Sequence, residues 1–321
     1  MQILGDSNAT LKDLTRVMEA ELAETGDPIY PVICTDVESA DEAYIKIPIQ
    51  TRVDFPTAFD GERESTSTEV AVIATYNKAT YSLTLDYNAD LMTESKAYSF
   101  ADRTADAATS MKIFPSWNLT KNIIVANINA YDGKAFYANN HLWANTGANT
   151  INNIVAATGQ TPALLYADLQ TAVARMRTFL DDKGHLLNPY VAYGADQLVI
   201  QCPVALEIGF RQVVFGSLIP QKAATGDSAG AGVTAPKDLG LKGIATILPD
   251  PYLDAASPTT WYLHYVGARQ RPFVYTESYG IRTAALGFGT EFHTNTNKVR
   301  IVGQHRFVEG TYRFDRSIRV A

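Results

Sequence analysis

Three features of this sequence predict an α+β fold. An amphipathic helical stripe opens the chain, period-two alternation runs from about residue 43 to 90, and helices then alternate with short apolar runs before a strand-rich end. Composition supports an ordered protein. Of 321 residues, 46% are hydrophobic and only 19% are charged, below the usual quarter, which excludes an apolar-poor disordered chain. The net charge of −7 has the wrong sign for a nucleic-acid binder that works through excess Lys and Arg.

Residues 10–24 read as the first helix. Thr10 and Asp13 resemble a capping box, and Leu11, Leu14, Val17, Met18 and Leu22 form its apolar stripe. Gly26, Pro28 and Pro31 follow, so this helix reads as an arm that packs on something else. The arm is acidic: residues 1–45 carry ten acids against Lys12 and Arg16. Residues 298–321 have the opposite bias, with Lys298, Arg300, Arg306, Arg313, Arg316 and Arg319 against Glu309 and Asp315. Two readings stand: solvated ends of opposite charge, or an acidic arm of one chain lying across a basic strand of another.

Ile45, Ile47 and Ile49 alternate with polar residues, as do Val70, Val72, Ala74 and Tyr76. Tyr81, Leu83, Leu85 and Tyr87 resume the pattern after Asn77-Lys78-Ala79, which reads as a long β-hairpin. Its two limbs are joined earlier by a polar stretch, Phe55–Thr68, which includes Asp60-Gly61-Glu62-Arg63. Such a hairpin makes a poor isolated core and is expected to lean on a partner.

Residues 95–130 form the longest helical candidate, with Ala97, Phe100, Thr104, Ala107, Ala108, Met111 and Phe114 on one face. Pro115 is expected to kink or divide it, and Tyr131-Asp132-Gly133 to end it. Thr161-Pro162 opens another helix, with Leu165, Leu169, Val173, Met176, Phe179 and Leu180 buried and Gly184 closing it. An apolar strand at 197–201 precedes a helix starting at Pro203, and the Ala/Gly/Thr/Ser-rich stretch 223–243 reads as a mobile loop. Strands are expected at 244–248, 261–266, 273–277 and 281–292, and as a pair, 298–308 and 311–320, around Glu309-Gly310.

Chemistry-bearing motifs are sparse. Gly226-Asp227-Ser228-Ala229-Gly230 matches G-x-S-x-G, but a nucleophile elbow needs a strand before the serine and a helix after it, and the flanks offer neither. His141, His185, His264, His293 and His305 show no metal-ligand spacing, and Asp132-Gly133-Lys134 lacks the further carboxylates of a calcium loop. Cys34 and Cys202 make no CxxC pair and are expected to be free and buried. No apolar run reaches the length of a membrane span, and the N-terminus has no signal-peptide pattern. The sequence therefore predicts no enzyme, no cofactor, no metal and no membrane partner.

An ordered set of short motifs carries a resemblance. Gly61-Glu62-Arg63 is similar to the Gly-Glu-Arg element in the extended loop of Mu-like major head subunits. Tyr131-Asp132-Gly133, Phe136-Tyr137 and Asn140-His141 resemble that family's signature after its long helix. Gly184, Pro189, Leu198-Val199-Ile200 before Pro203, Pro251-Tyr252-Leu253, Trp261-Tyr262-Leu263 and Arg271-Pro272-Phe273 follow in the same order. From about residue 45 to 320, the chain resembles a tailed-phage major capsid protein with the HK97-type fold.

The resemblance implies an N-terminal arm (1–45), an extended loop (46–90), a peripheral domain with a spine helix (91–159 and 291–321) and an axial domain (160–290). It implies self-assembly into hexamers and pentamers of an icosahedral shell that encloses double-stranded DNA without sequence-specific binding. It further implies a portal, with assembly in the host cytoplasm and residence in the virion, and leaves a decoration protein open. Because structured signals begin at Thr10, with no room for a fused scaffold of about a hundred residues, a separate scaffolding protein is expected. Asp60, Glu62 and Arg63 at the loop, with Arg313, Arg316 and Arg319, become the candidate inter-subunit contacts. An encapsulin-like compartment and a connector or tail-tube protein are the alternatives.

Overall fold

The computed structural model describes residues 7–24, 29–37, 43–52, 70–93, 97–191, 197–215, 218–220, 234–236, 245–287 and 289–321. Helix α1 (Ser7–Glu24) is already running at Thr10, so Thr10 and Asp13 are not its capping box. Its stripe sinks Leu14 and Met18 into a cluster with Tyr87, Phe100, Met111, Val299 and Ile301. The short helix α2 (Tyr30–Ile33) leads directly into strand β1 (Cys34–Asp36).

Strand β2 (Tyr44–Gln50) alternates strictly between exposed and buried, and pairs antiparallel with β3 (Val70–Asn77). The expected hairpin across Asn77-Lys78-Ala79 does not form. Lys78 donates its N–H to the Ala43 carbonyl, and the chain passes into β4 (Ala79–Asn88), which pairs with a different sheet. Alternation fixes which face is buried, but not which strand lies alongside. The β2–β3 ribbon leans on its own chain: Ile45, Ile47, Ile49 and Ala74 join the main core.

Helix α3 (Ala89–Thr93) precedes α4 (Ala97–Asn118), and a π-helical segment, Leu119–Val125, continues from α4. Pro115 lies within α4 without dividing it. The change comes four residues later, where Ala126 N–H bonds Lys121 O and Ile128 N–H bonds Ile123 O, both five residues back. Asn127, at φ 52°, follows this segment, so the helix stops before the Tyr131-Asp132-Gly133 turn.

Short strands β5 (His141–Leu142), β6 (Thr150–Ile151) and β7 (Ile154–Val155) lead to α5 (Pro162–Arg177). Pro at its first position sets φ for the helix start. It ends at Thr178, so Gly184 (φ 83°) belongs to the following turn rather than to the helix C-terminus. Next come β8 (Leu198–Cys202), α6 (Val204–Phe215), β9 (Leu218–Pro220) and β10 (Thr234–Pro236). The pairing of β10 with β9 shows that the stretch read as a mobile loop contains a strand; its other residues, Ser228 included, lie outside the described residues.

The C-terminal third adds β11 (Ala245–Pro249), α7 (Pro251–Asp254), β12 (Trp261–Tyr265), β13 (Phe273–Leu286), α8 (Glu291–Thr296), β14 (Lys298–Thr311) and β15 (Ser317–Val320). The segments expected at 273–277 and 281–292 are one long strand, irregular around Glu277–Arg282, followed by α8. The expected strand pair around Glu309-Gly310 is absent: β14 runs through both residues, and β15 joins another sheet.

Two sheets organise the chain. One has the order β1-β13-β14-β4, with α1 and α4 against it: a Cβ on Gly303 would meet Met18 and Met111. The other has the order β11-β8-β12-β15-β7, with every residue of β8 buried. The chain crosses between them at Tyr312–Arg316, so the last two strands tie both sheets together. Cys34 and Cys202 are buried and form no disulfide.

Candidate assembly surface and its internal frame

The motif after the long helix folds into one tight unit. Gly133 takes a left-handed conformation (φ 77°), and the Asp132 carboxylate accepts the Lys134 N–H, which fixes the turn. Its other oxygen lies 2.7 Å from His141 Nδ1, both side chains being fully buried. His141 Nε2 lies 3.0 Å from the Phe136 carbonyl, and the imidazole stacks on Phe314 at 4.1 Å. Asn153 donates to the carbonyls of Phe136 and Phe314, joining this unit to the inter-sheet crossing.

A buried polar chain runs through the five-stranded sheet. Thr120 of the π segment and Gln201 Nε2 both donate to Asp250 Oδ2, at 2.7 and 2.6 Å. With its amide nitrogen on Asp250, Gln201 turns Oε1 to His264 Nε2 (3.0 Å). His264 Nε2 is therefore the donor, and Nδ1 accepts from Ser317 Oγ (3.0 Å), which accepts from Tyr137 OH (2.8 Å). Burial alone drives the His264 pKa down to about 3, so the ring is neutral. Burial also raises Asp250, against the opposing hydrogen bonds from Thr120 and Gln201. Sequence spacing missed this chain because its six members come from six separate segments. They are sealed inside the protein, where they frame the sheet rather than face a substrate.

Of the six predicted contact residues, Asp60, Glu62 and Arg63 lie outside the described residues. Arg313 is buried at the inter-sheet crossing. Its guanidinium grips Asp315 with two bonds of 2.7 and 2.8 Å, bonds Gln270 Oε1, and covers the Trp143 ring at 4.4 Å. Burial would lift the Asp315 pKa, but the Arg313 charge and hydrogen bonds outweigh it and hold the carboxylate below its ordinary range. Arg316 donates to the Gln270 carbonyl and lies 3.9 Å from Asp315; burial, then repulsion from Arg313, lowers its pKa to about 10. Arg319 sits on β15, opposite Tyr262. Arg313 and Arg316 thus have partners inside the subunit.

The acidic arm also has contacts within its own chain. Glu21 Oε1 accepts from Thr109, and Lys112 of α4 bonds the Leu22 carbonyl. Outward-facing apolar groups lie elsewhere. Val204, Ile208 and Phe215 are exposed on α6, beside the Glu207–Arg211 ion pair. Val70 and Ile73 are exposed on β3, and β4 is the terminal strand of its sheet. Among the described residues, no cluster of three or more His, Cys, Asp or Glu side chains is placed to hold a metal, and no helix is long and apolar enough to cross a membrane.

No family model matches the sequence, and no curated protein matches it. Solved structures do. The chain is similar to the capsid of the cyanophage P-SCSP1u (TM-score 0.52, 11% identity, over 92% of this chain and 88% of that one). It is similar to the mature capsid of bacteriophage PhiM1 (TM-score 0.52, 12% identity, 92% and 87%). It is also similar to a virus-like particle from Pyrococcus furiosus (TM-score 0.51, 5% identity, 97% and 98%). At such low identities the likeness is one of fold, and it runs nearly end to end: the chain has the HK97-type capsid fold.

Proposed function

We propose that this protein is the major capsid subunit of a tailed phage or prophage, in the Mu-like head-subunit group. The observation that carries this reading is end-to-end correspondence with shell-forming chains, covering about nine-tenths or more of this chain and of theirs. The internal frame supports the reading, because a shell subunit must transmit contacts between its sheets without deforming, and satisfied buried networks favour one arrangement. Its role is structural: copies make heterologous contacts that close into rings and then into a shell. Many weak contacts add through multivalency.

In this reading the shell holds double-stranded DNA without gripping it, since a net-acidic subunit repels phosphate over about one Debye length. A separate scaffolding protein and a portal complete the assembly, in the host cytoplasm. The loop residues Asp60, Glu62 and Arg63 serve contacts between subunits, with Arg319 a further contact. A second reading is an encapsulin-like shell of the same fold rather than a phage head; one of the similar structures is a virus-like particle from Pyrococcus furiosus.

Expression of the full chain, followed by negative-stain electron microscopy and nucleic-acid analysis of sedimenting particles, tests both. Closed shells or tubes support the shell reading. Rings alone favour a connector, and small monomers at all concentrations refute assembly. Tight, salt-sensitive DNA retention by purified shells refutes the non-gripping container.

A further inference from the structure

Strand β4 is a terminal strand of the β1-β13-β14-β4 sheet, and among the described residues only β14 pairs with it. It is ten residues long, longer than a typical strand. Such an edge presents unpaired N–H and C=O groups, and proteins ordinarily blunt it with Pro, Lys or a short length. Two other edge strands in this chain carry those devices, though β3 does not. At the opposite side of the same sheet β1 has only three residues, and β2 carries Lys46 and Pro48. Strand β4 has neither Pro nor Lys, and its one charge, Asp86, is held by two hydrogen bonds from Arg300.

The sequence of β4 matches itself in reverse. Tyr81-Ser82-Leu83-Thr84-Leu85-Asp86-Tyr87 is palindromic about Thr84 except for Ser82 against Asp86. The geometry points to an isologous contact in which β4 of one copy pairs antiparallel with β4 of a second copy, across a two-fold axis at Thr84. This joins two four-stranded sheets into one.

Opposed residues in an antiparallel pair share a face, so the register can be read off directly. Tyr81 meets Tyr87 of the second copy and Leu83 meets Leu85, all on the α4 side. Thr84 meets Thr84, and Ser82 meets Asp86, where a hydroxyl can donate to a carboxylate. No like charges are opposed. On the α4 side the apolar residues of the second copy arrive beside a groove of about 260 Å³ lined by Tyr81, Leu83, Met111 and Phe114. Twofold symmetry doubles each contact, as expected where one patch serves both subunits. The pairing goes beyond the shell reading and stands independently of it.

Cysteine substitution on the exposed face of β4 tests the register in the full chain. Across the axis, Thr84 of one copy lies about 4.5–5.5 Å from its equivalent, Cα to Cα, within disulfide reach. Ser82 and its equivalent are four residues out of step, roughly 13 Å apart. The buried Cys34 and Cys202 are shielded from exchange. Under mild oxidation Thr84→Cys is expected to run as a covalent dimer on a non-reducing gel. Ser82→Cys should stay monomeric, and the double variant Ser82→Cys/Asp86→Cys should regain the dimer. Uncrosslinked Thr84→Cys, or crosslinking of Ser82→Cys to the same extent, overturns the pairing. Microscopy of the same samples separates the two readings. Shells without a Thr84→Cys crosslink refute only the pairing, and crosslinked dimers that never form shells refute only the shell.

Discussion

The Tyr76 ring occupies the space where a side chain on Gly310 would stand: a Cβ built there falls 2.4 Å from Cε1 and 2.5 Å from Cδ1. The Tyr76 hydroxyl donates to the Thr311 carbonyl, which anchors the β2–β3 ribbon to β14. Burial, the dominant cause, pushes the phenol pKa up to about 12. Glycine is required here for close approach, not for unusual backbone angles.

Gly310→Ala is therefore expected to push Tyr76 off β14 and cost about 1–3 kcal/mol, the usual range for overpacking. Urea denaturation of the soluble subunit measures it. Tyr76→Ala/Gly310→Ala should lose less than the sum of the two single variants, because the clash is gone. Strict additivity would show that the ring and glycine are not in contact.

His264 gives a pH dependence with a definite sign. Its folded pKa is depressed to about 3 by burial, while the unfolded ring titrates near its ordinary value of 6.5. Below about pH 6.5 the unfolded chain takes up a proton that the folded chain refuses. The stabilising contribution is thus complete above that pH and falls as the medium is acidified toward pH 3. Denaturant midpoints measured from pH 7 to 4 should decline, and His264→Gln should flatten that decline while lowering stability at pH 7. An unchanged slope in the variant would assign the acid sensitivity to other groups.

The elements governed by local rules were legible in the sequence. Pro162 marks the start of α5, and the alternation at Ile45, Ile47 and Ile49 reports the buried face of β2 correctly. Partnerships were not legible. Asn77-Lys78-Ala79 has the composition of a turn, yet Lys78 is a bridge between two sheets, because pairing with β14 more than 200 positions away decides the path of β4. Arg313 and Arg316 carry the charge pattern of a surface strip; Asp315 is their neighbour in sequence, but only the fold buries the group and brings Gln270 to it. The Asp-Gly, Phe-Tyr and Asn-His motifs were recognisable in order, but their reason, the Asp132–His141 pair under Phe314, needs three-dimensional contact.

Arg313 and Asp315 form a buried pair, so removing this cation takes the two short bonds from the carboxylate and leaves it only the more distant Arg316 charge, 3.9 Å away. Arg313→Met is expected to cost about 3–5 kcal/mol near pH 7. The sign with pH follows from Asp315. In the parent its pKa is held low, so its contribution is present above the ordinary carboxylate range and is lost as pH falls through the folded value. Without Arg313, burial instead favours the protonated form, so the penalty should shrink between pH 7 and 4. Thermal melts across that range check it, and a penalty independent of pH would mean that lost packing on Trp143, rather than charge, dominates.

The Asp132–His141 pair permits a sharper test, because the ring has two separable roles. Its face stacks on Phe314, and its nitrogens contact Asp132 and the Phe136 carbonyl. His141→Phe retains an aromatic face but leaves the buried Asp132 oxygen without its partner, a change expected to cost about 3–5 kcal/mol. Adding Asp132→Asn removes the stranded charge and keeps a side-chain oxygen for the Lys134 N–H, so the turn survives. The double variant should therefore recover about 1–3 kcal/mol of the loss, since the penalty lies mainly in the group left unsatisfied. A double-mutant cycle by chemical denaturation reads this directly. If the double variant is instead less stable than His141→Phe alone, the imidazole acts mainly through its stack on Phe314 and the Phe136 carbonyl, and the motif is held by packing rather than by its carboxylate.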